Sequence, residues 1–600
     1  MSGSATNITS GGLVTISVKV NGTDVSSTVD IRSLEVVKTV NKISLAKIEI
    51  LDGNAADESF KVSSSSTFIP GNELIIETGY DSKNKTIFEG IITNQSINIH
   101  NTSGPVLEIT CRDKAIKMVV GRKNITYSKK KDNDIISSII GNYSGLSASV
   151  SATPTEWPEQ VQYYVTDWDF VLARAEANGM VVTTLENKVS VFEPDENTSS
   201  VITIEYGNNL YSFNADLNAI TQLGDVKASS WDFKNQAVIS GEESNSFAGP
   251  GNLSAKKLSE VIGLSDFDLQ STAPIQNSDL TNWSKAQLVK SNYAKIQGEV
   301  TFQGSDVVNP GNYMTLNGLG DRFDGDHFVS GVRHTIENGN WVTEVSFGLS
   351  PIWFTEEPDV MAPAASGLLP GAKGLFNGTV KKMYEDPDSQ FRVLVDIPMF
   401  DANGEGVWAR LTNFYSTSGA GAFFMPEVGD EVILGFLNED PRYPIILGSV
   451  YSNSKNKPFD GLDPDEKNTK KAIVSKEGIF IQFDDENKVF TIETPSKNTA
   501  VFSDQDKQIE IKDQNGNSIV MSESGITIKS EKDINIEADQ SVTIKGSQGV
   551  TIESSPGDVS VKGMNVNINA ETQLSAKGSA TAQIEGGAET TIKGAMVMIN

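Results

Sequence analysis

The sequence predicts a mainly β protein in three successive parts, on three observations. Valine and isoleucine pairs recur every eight residues toward the carboxyl end. Five short apolar runs, separated by glycine, proline and aspartate, lie just before them. The first 365 residues mix alternating strand-like segments with short helical stripes, and they carry one glycine-turn pattern twice.

Bulk composition narrows the function classes. The chain has 600 residues, enough for several domains, and a formal charge of −29 from 78 acidic and 49 basic residues. Such a surface repels nucleic acid and anionic lipid, so neither is expected as a direct partner. Cys111 is the single cysteine, which excludes a disulfide framework within the chain and fits a reducing compartment of origin. Residues 1–7 lack a basic stretch followed by an apolar core, so no secretory signal is expected there. No run reaches the length of about 18 apolar residues that a membrane-spanning helix needs.

The terminal repeat is the strongest signal. Ile526/Ile528, Ile534/Ile536, Val542/Ile544 and Val550/Ile552 follow one another at eight-residue spacing, and Val559/Val561 and Val566/Ile568 continue at nine and seven. The register loosens through Leu574, Ile584 and Ile592 and ends at Val597/Ile599. Alternation within each unit marks a strand with one buried face, and Gly, Ser, Asn and Asp fill the turns. So short a repeat points to a β-helix. One unit cannot bury its inner pair alone, whereas stacking gains roughly 1.5–3 kcal/mol per buried side chain. A three-sided solenoid of one chain and a prism shared by three chains both satisfy this, and the short octad favours the prism. Roughly fifteen strands at ~4.8 Å per layer would give a needle on the order of 70 Å long. Upstream, Ile479/Ile481, Val489/Ile492, Ile509/Ile511 and Ile519/Met521 still alternate, with a tight-turn signal at Asn515-Gly516. This part reads equally as a β-meander leading into the needle.

The five runs in the middle, at 378–383, 391–397, 407–411, 431–436 and 443–451, predict a five-stranded barrel of the oligonucleotide/oligosaccharide-binding (OB) type. Strands are expected in the front part at 15–20, 33–37 and 47–51. Helices are expected at 132–140, capped by Asp132 or Asp134 and stopped by Gly141, and at 166–178, capped by Thr166 and stopped by Gly179. A third, at 278–294, would bury Leu280, Trp283, Leu288 and Val289.

The run FMPEVGDEVILGFLNEDPRYPIILGSVYSNSKNKP, with Pro426, Gly429, Asp430, Asp440, Pro441 and Pro444 at its turns, resembles the barrel of the VgrG family. That family comprises the spikes of type VI secretion, and the run is also similar to contractile-phage tail spikes. The front half resembles the hub portion of the same family through GNELIIETGY, VQYYVTDWDFVLARAEANGM and NWVTEVSFGLSP. The pattern at Pro70–Phe88 returns at Pro310–Phe323, which suggests two related β-barrel domains within one chain. The resemblance implies residues 1–365 as a phage-hub-like base, 366–455 as an OB-fold barrel, 456–475 as a linker and 476–600 as a triple-stranded β-helix needle. It further implies an intertwined homotrimer whose pseudo-sixfold base docks on a hexameric inner tube among baseplate proteins. In the family a PAAR-like tip protein caps the needle, here at Met596, Val597, Met598, Ile599 and Asn600. Such a spike is made in the bacterial cytoplasm, leaves by contraction of the device, carries effectors and touches a target membrane only in passing.

Chemistry is sparse by comparison. His327 and His334 read as ordinary strand residues around a turn, with no partners for a metal, and His100 stands alone. Asp321 to His327 lacks the twelve-residue frame of a calcium loop, and GPGNLSAKKL at Gly249 lacks the Gly-Lys-Ser/Thr ending of a phosphate loop. No catalytic residue, metal or cofactor is expected. Residues 452–471 are too short for an inserted enzyme, and the chain ends on its last strand. A β-helix polysaccharide-degrading enzyme would need longer coils with charged clusters, yet residues 471–600 contain no arginine. A fibrous adhesin would need an export signal or anchor.

Overall fold

The computed structural model describes residues 12–100, 104–232, 234–358, 360–400, 404–452, 456–460, 462 and 465–599. Residues 1–7, read above for a signal, lie outside them, as does Asn600. The chain forms two compact units, Met1–Val450 and Tyr451–Asn600.

Thirteen strands of the first unit join in one sheet; twelve fall into two series with the same neighbour order, and the short Thr23–Asp24 pairs beside Val14–Val20. The first series runs Asp30–Thr39, Leu45–Leu51, Gly104–Arg112, Lys85–His100, Glu73–Tyr80, Val14–Val20. The second runs Leu210–Leu217, Ile296–Gln303, Asn340–Phe347, Gly325–Glu337, Tyr313–Asn317, Ile202–Glu205. Only the last pairing differs in sense, antiparallel in the first series and parallel in the second.

The likeness extends to hydrogen bonds and irregularities. Gly71 N donates to Ile92 O at 2.8 Å and Ile92 N to Asn72 O at 2.9 Å. Gly311 N and Val329 N make the same two bonds to Val329 O and Asn312 O, both at 2.9 Å. Bulges fall between Ile92 and Asn94 and between Val329 and Gly331. A second matched pair falls between Ile31 and Ser33 and between Leu210 and Ser212. The repeated Pro-Gly-Asn motif is therefore the turn that pins one strand end against the bulged strand in each half. Rather than closing into separate barrels, the halves merge. Gly325–Glu337 runs on past its hairpin partner and pairs antiparallel with Asp30–Thr39, from Gly331 opposite Thr39 to Glu337 opposite Ser33. Alternate residues of each series fill a core, Leu34, Val36, Ile48 and Ile76 in the first and Val300, Phe302, Val329 and Val345 in the second.

Three helices occur where expected, with differences at the ends. Asp167–Ala177 is capped by Thr166, whose hydroxyl accepts from Asp169 N at 3.1 Å. Asp132–Gly141 includes Gly141, and neither Asp132 nor Asp134 caps it, because the flanking residue is Lys131. Asp132 is instead buried, accepting from Arg174 Nε and Nη2 at 2.8 Å each and from Asn178 Nδ2 at 2.9 Å. Asn277–Tyr293 buries Leu280 and Leu288, but also Ser284, Gln287 and Ser291, while Trp283 and Val289 stay half-buried.

His327 and His334 do not flank a turn. Both lie on the single strand Gly325–Glu337 and are buried. His327 Nε2 meets Phe323 O at 2.7 Å, and His334 Nδ1 meets Thr343 Oγ1 at 3.1 Å.

Strands Phe376–Lys382, Val393–Asp396, Val407–Leu411, Glu431–Phe436 and Pro444–Ser449 close the expected five-stranded barrel around Val380, Val395, Val432, Leu434 and Ile446.

In the second unit, seven five-residue strands from Lys470–Val474 to Gly525–Lys529 form one antiparallel meander, each paired to the next. The meander reading therefore holds for this stretch, and the end of the expected linker is its first strand. Asn515-Gly516 sits in the turn before Ser518–Ser522, with Gly516 at φ +91° and Asp513 Oδ1 accepting from Asn515 N at 2.9 Å. Beyond Lys529 no strand pairs within the chain among the described residues.

Two predictions follow from the doubled half and its buried imidazoles. Gly71 and Gly311 have φ of +102° and +93°, where a side chain is strained. A Cβ on Gly71 meets open space, whereas one on Gly311 would stand 2.6 Å from Phe192 Cζ. Gly71→Ala should thus cost about 1 kcal/mol and Gly311→Ala about 3 kcal/mol, read by urea unfolding of the first unit.

Burial holds His327 down to about 4; burial together with the Lys38 charge holds His334 down to about 3. Both are neutral when folded but take up protons near pH 6.5 when unfolded. Their contribution is complete above about pH 6.5 and is lost as pH falls toward 4 and 3, about 2 kcal/mol each at pH 5. His334→Gln should shrink the stability lost between pH 7 and pH 5 by about 2 kcal/mol in denaturant titrations at the two pH values.

Candidate assembly surfaces

Most charged groups in the interior are occupied by structural partners. A cleft of about 1260 Å³ is lined by Trp168, Glu176 and Lys290 among others. Its lysine and glutamate are ion-paired, and Glu176 Oε2 also accepts from Phe354 N at 2.6 Å. The cleft lies between helices Asp167–Ala177 and Asn277–Tyr293, the segment at Phe354 and sheet residues such as Val37, Asn214, Gln297 and Ser346. Asp324 Oδ1 serves its own turn, accepting from Leu319 N at 2.7 Å, and Asp326 Oδ1 ties the strand to a distant segment, accepting from Ser200 Oγ at 2.7 Å. The glycine loop at Gly249 is held by Lys295, which donates to Ala248 O and Leu253 O at 2.5 and 3.0 Å. Burial pushes that ammonium down to about 8. Cys111 is buried, which raises its thiol above the ordinary range. Among the described residues no group of three or more His, Cys, Asp or Glu is placed to hold a metal ion.

The barrel motif does its work in turns. Asp430 Oδ2 accepts from Glu427 N at 2.9 Å, directly after Pro426, while Gly429 N reaches Val380 O at 2.9 Å with Gly429 at φ +96°. Asp440 precedes Pro441 and accepts from Arg442 Nε at 3.0 Å and Nη2 at 2.7 Å; Pro444 then opens the last strand opposite Phe436. These residues shape the turns that lead into and out of the closing hairpin. Sequence reasoning missed a neighbouring feature. The barrel segment exposes Phe391, Phe414, Phe423 and Phe424.

Register explains the second unit. Across the meander, Ile481, Ile492, Ala500, Ile511, Ile519 and Ile528 stand opposite one another in one row. Phe483, Phe490, Phe502, Ile509, Met521 and Ile526 form a second row two positions away. Two-residue spacing puts both rows on the same face. Rings touch along it, Phe483 to Phe490 at 5.2 Å and Phe490 to Phe502 at 5.9 Å. Yet Phe483, Phe502, Ile511 and Ile519 remain exposed in the single chain.

The octads repeat this pattern without a sheet. Ile534, Val542, Val550, Val559 and Val566 are 52–53% exposed, and Ile536, Ile544, Ile552, Val561 and Ile568 are 69–72% exposed. Of the expected needle core, only Ile526 and Ile528 meet a partner strand within the chain, opposite Met521 and Ile519. At the tip, Met596, Val597, Met598 and Ile599 are all exposed.

Three family models match in succession. Residues 10–338, more than half of the chain, match the Alg8 N-terminal domain. Residues 376–451 match the type VI secretion system/phage-baseplate injector OB domain, and residues 489–548 the phage baseplate V C-terminal trimerisation domain. The chain is similar to the type VI secretion system spike protein VgrG1b of Pseudomonas aeruginosa, 20% identical over 56% of this chain and 47% of that protein. It thus spans about half the length of that relative. A 52-residue stretch, 9% of the chain and 5% of the relative, is 40% identical to the spike protein VgrG3 of Vibrio cholerae. Among solved structures, the prophage MuSo2 43 kDa tail protein from Shewanella oneidensis aligns with TM-score 0.44 and 10% identity, over 56% of this chain and 98% of that one. By its front half the chain belongs to the family of the Alg8 N-terminal domain, and by its barrel and trimerisation segment to the VgrG family of type VI secretion and phage-baseplate spikes.

Proposed function

We propose that this protein is the central spike of a bacterial contractile injection system, a homotrimer that acts mechanically. The observation that carries this reading is the two-row apolar face of the meander, continued by evenly exposed octads, in a stretch matched at 489–548 by a trimerisation domain. One chain leaves that face in water. Three copies can cover it mutually, each giving one side of a prism, at a gain of roughly 1.5–3 kcal/mol for each buried side chain. A closed prism has no free strand edge, which makes it stiff. Sheath contraction supplies the work, the base transmits it, and the narrow end concentrates it. The polar exterior and net charge of −29 give it little attraction to an anionic membrane that it must cross.

The base is the part that would dock on a hexameric inner tube and neighbouring baseplate proteins. The apolar tip, Met596 to Ile599, suits capping by a PAAR-like protein. Contraction of the device would carry the chain out of the cytoplasm. Catalysis is not part of this reading, and nothing in the charged clusters favours a polysaccharide-degrading enzyme or an adhesin over it.

Light scattering should return three times the chain mass of 64.7 kDa. Phe502→Asp, placing a charge in the shared face, should raise the concentration at which trimers dissociate at least about 100-fold. A single-chain mass for the unaltered protein would refute the spike reading. Met598→Asp with Ile599→Asp should abolish co-purification with a co-expressed PAAR-repeat protein while leaving the trimer mass unchanged.

A further inference from the structure

The core-facing positions of strand Asp30–Thr39 and the residue after it read Leu34, Val36, Lys38 and Val40, all buried. Lys38 alone among them is not apolar, and only 4% of it is exposed. It stands opposite Val332, which is buried in the core of the second half. The other half shows what the position accepts. Counted equally from the matched bulges, Ser33 to Lys38 corresponds to Ser212 to Leu217, and Leu217 packs against the core. A lysine therefore fills a place suited to leucine, and its ammonium is desolvated there.

An amide, not a carboxylate, answers that ammonium. Lys38 Nζ donates to Asn309 Oδ1 at 2.8 Å, across 271 positions of sequence. Asn309 precedes Pro310 in the second Pro-Gly-Asn turn, where the first turn has Ile69 before Pro70. The turn fixes its backbone: Asn309 N donates to Asn312 Oδ1 at 2.9 Å, and Asn309 O accepts from Asn312 N at 3.1 Å. One carbonyl bond beyond Oδ1 sets Lys38 Nζ within about 4 Å of Asn309 Cγ. Asn309 is half-buried, and its Nδ2 makes no hydrogen bond within the chain among the described residues, so a departing nitrogen has a way out. Burial draws the Lys38 ammonium down to about 8, against the pull of Glu186 and Asp306, so about one copy in ten carries a free amine at pH 7.

We propose that Lys38 and Asn309 join in an intramolecular isopeptide bond that clamps the two halves of the front sheet together. The lone pair of the neutral Lys38 amine attacks Asn309 Cγ. The Nζ–Cγ bond forms, the Cγ–Nδ2 bond breaks, and Nδ2 leaves as ammonia with one hydrogen taken from Nζ. The proton shed beforehand by the ammonium passes to Glu186 or Asp306, the carboxylates whose charges reach Lys38, and on to water. One amide is exchanged for another, so the balance needs no oxidant, reductant or cofactor. The ordinary loss of ammonia from asparagine, by attack of the next backbone nitrogen, is closed at Asn309 because Pro310 has no N–H. The turn that carries Asn309 is itself pinned to strand Gly325–Glu337 by the Gly311 and Val329 hydrogen bonds, so the bond would back the pairing of that strand with Asp30–Thr39 by a covalent link. This inference concerns the base alone and does not rest on the spike reading.

The test is peptide mapping of the unaltered full-length protein, held at pH 8 where about half of Lys38 is free amine, then unfolded, digested with trypsin and read by mass spectrometry. A joined Lys38 resists trypsin, so peptide 33–42 should appear linked to peptide 296–322, lighter than their sum by one ammonia. Lys38→Arg and Asn309→Ala should each give only unlinked peptides. Free peptides 33–38 and 296–322, with Asn309 an unchanged amide, would overturn the proposal. That result comes from the unaltered protein and does not depend on either variant folding. A linked pair that persists in Lys38→Arg would place the bond on another lysine and overturn it equally.

Discussion

Strand Gly325–Glu337 gives one edge to two successive partners, first to Tyr313–Asn317 and then to Asp30–Thr39. The bulge after Val329 marks the change of partner. Backbone donors and acceptors inside a sheet must be paired, so a strand that outruns its hairpin has to find a second neighbour. That one weld turns two similar half-sheets into a continuous base. It also leaves the chain with an unmatched long strand at one side and an unmatched edge at the other.

The carboxyl unit meets the same constraint in another form. Its meander satisfies the backbone from strand to strand, but a single layer has two faces and only one of them is polar. Rows led by Ile481 and Phe483 therefore lie half in water in the single chain. The octads beyond Lys529 lack even the backbone pairing within the chain. The carboxyl end has no such core within one chain among the described residues, while the base and barrel have cores of their own.

Titratable groups in the base serve packing. Asp132 is held by Arg174, Asn178 and Trp157; Lys290 is held by Glu176; two imidazoles are buried neutral. Burying ion pairs in this way gains little net stability, but removing one partner strands a charge in the interior. These groups fix how helices sit on the sheet.

Much of this was legible in the residues. Period-two alternation and turn residues located the barrel strands to within a few positions, since short antiparallel strands are local. The Thr166 cap and the Asn515-Gly516 turn were readable for the same reason. The Asp132 cap was misread, because its carboxylate is claimed by Arg174 from a different helix, a contact that local spacing does not encode. His327 and His334 were assigned to two segments around a turn because one bulged, thirteen-residue strand looks broken in sequence. By itself the sequence determined the strand periodicity, the octad spacing, the acidic balance and the repeated Pro-Gly-Asn turn, all properties of neighbours along the chain. Which edges pair, which halves weld together and which apolar rows share a face was decided only in three dimensions. Register between distant strands depends on bulges and on the strands available beside them, and neither is carried by any short stretch of residues.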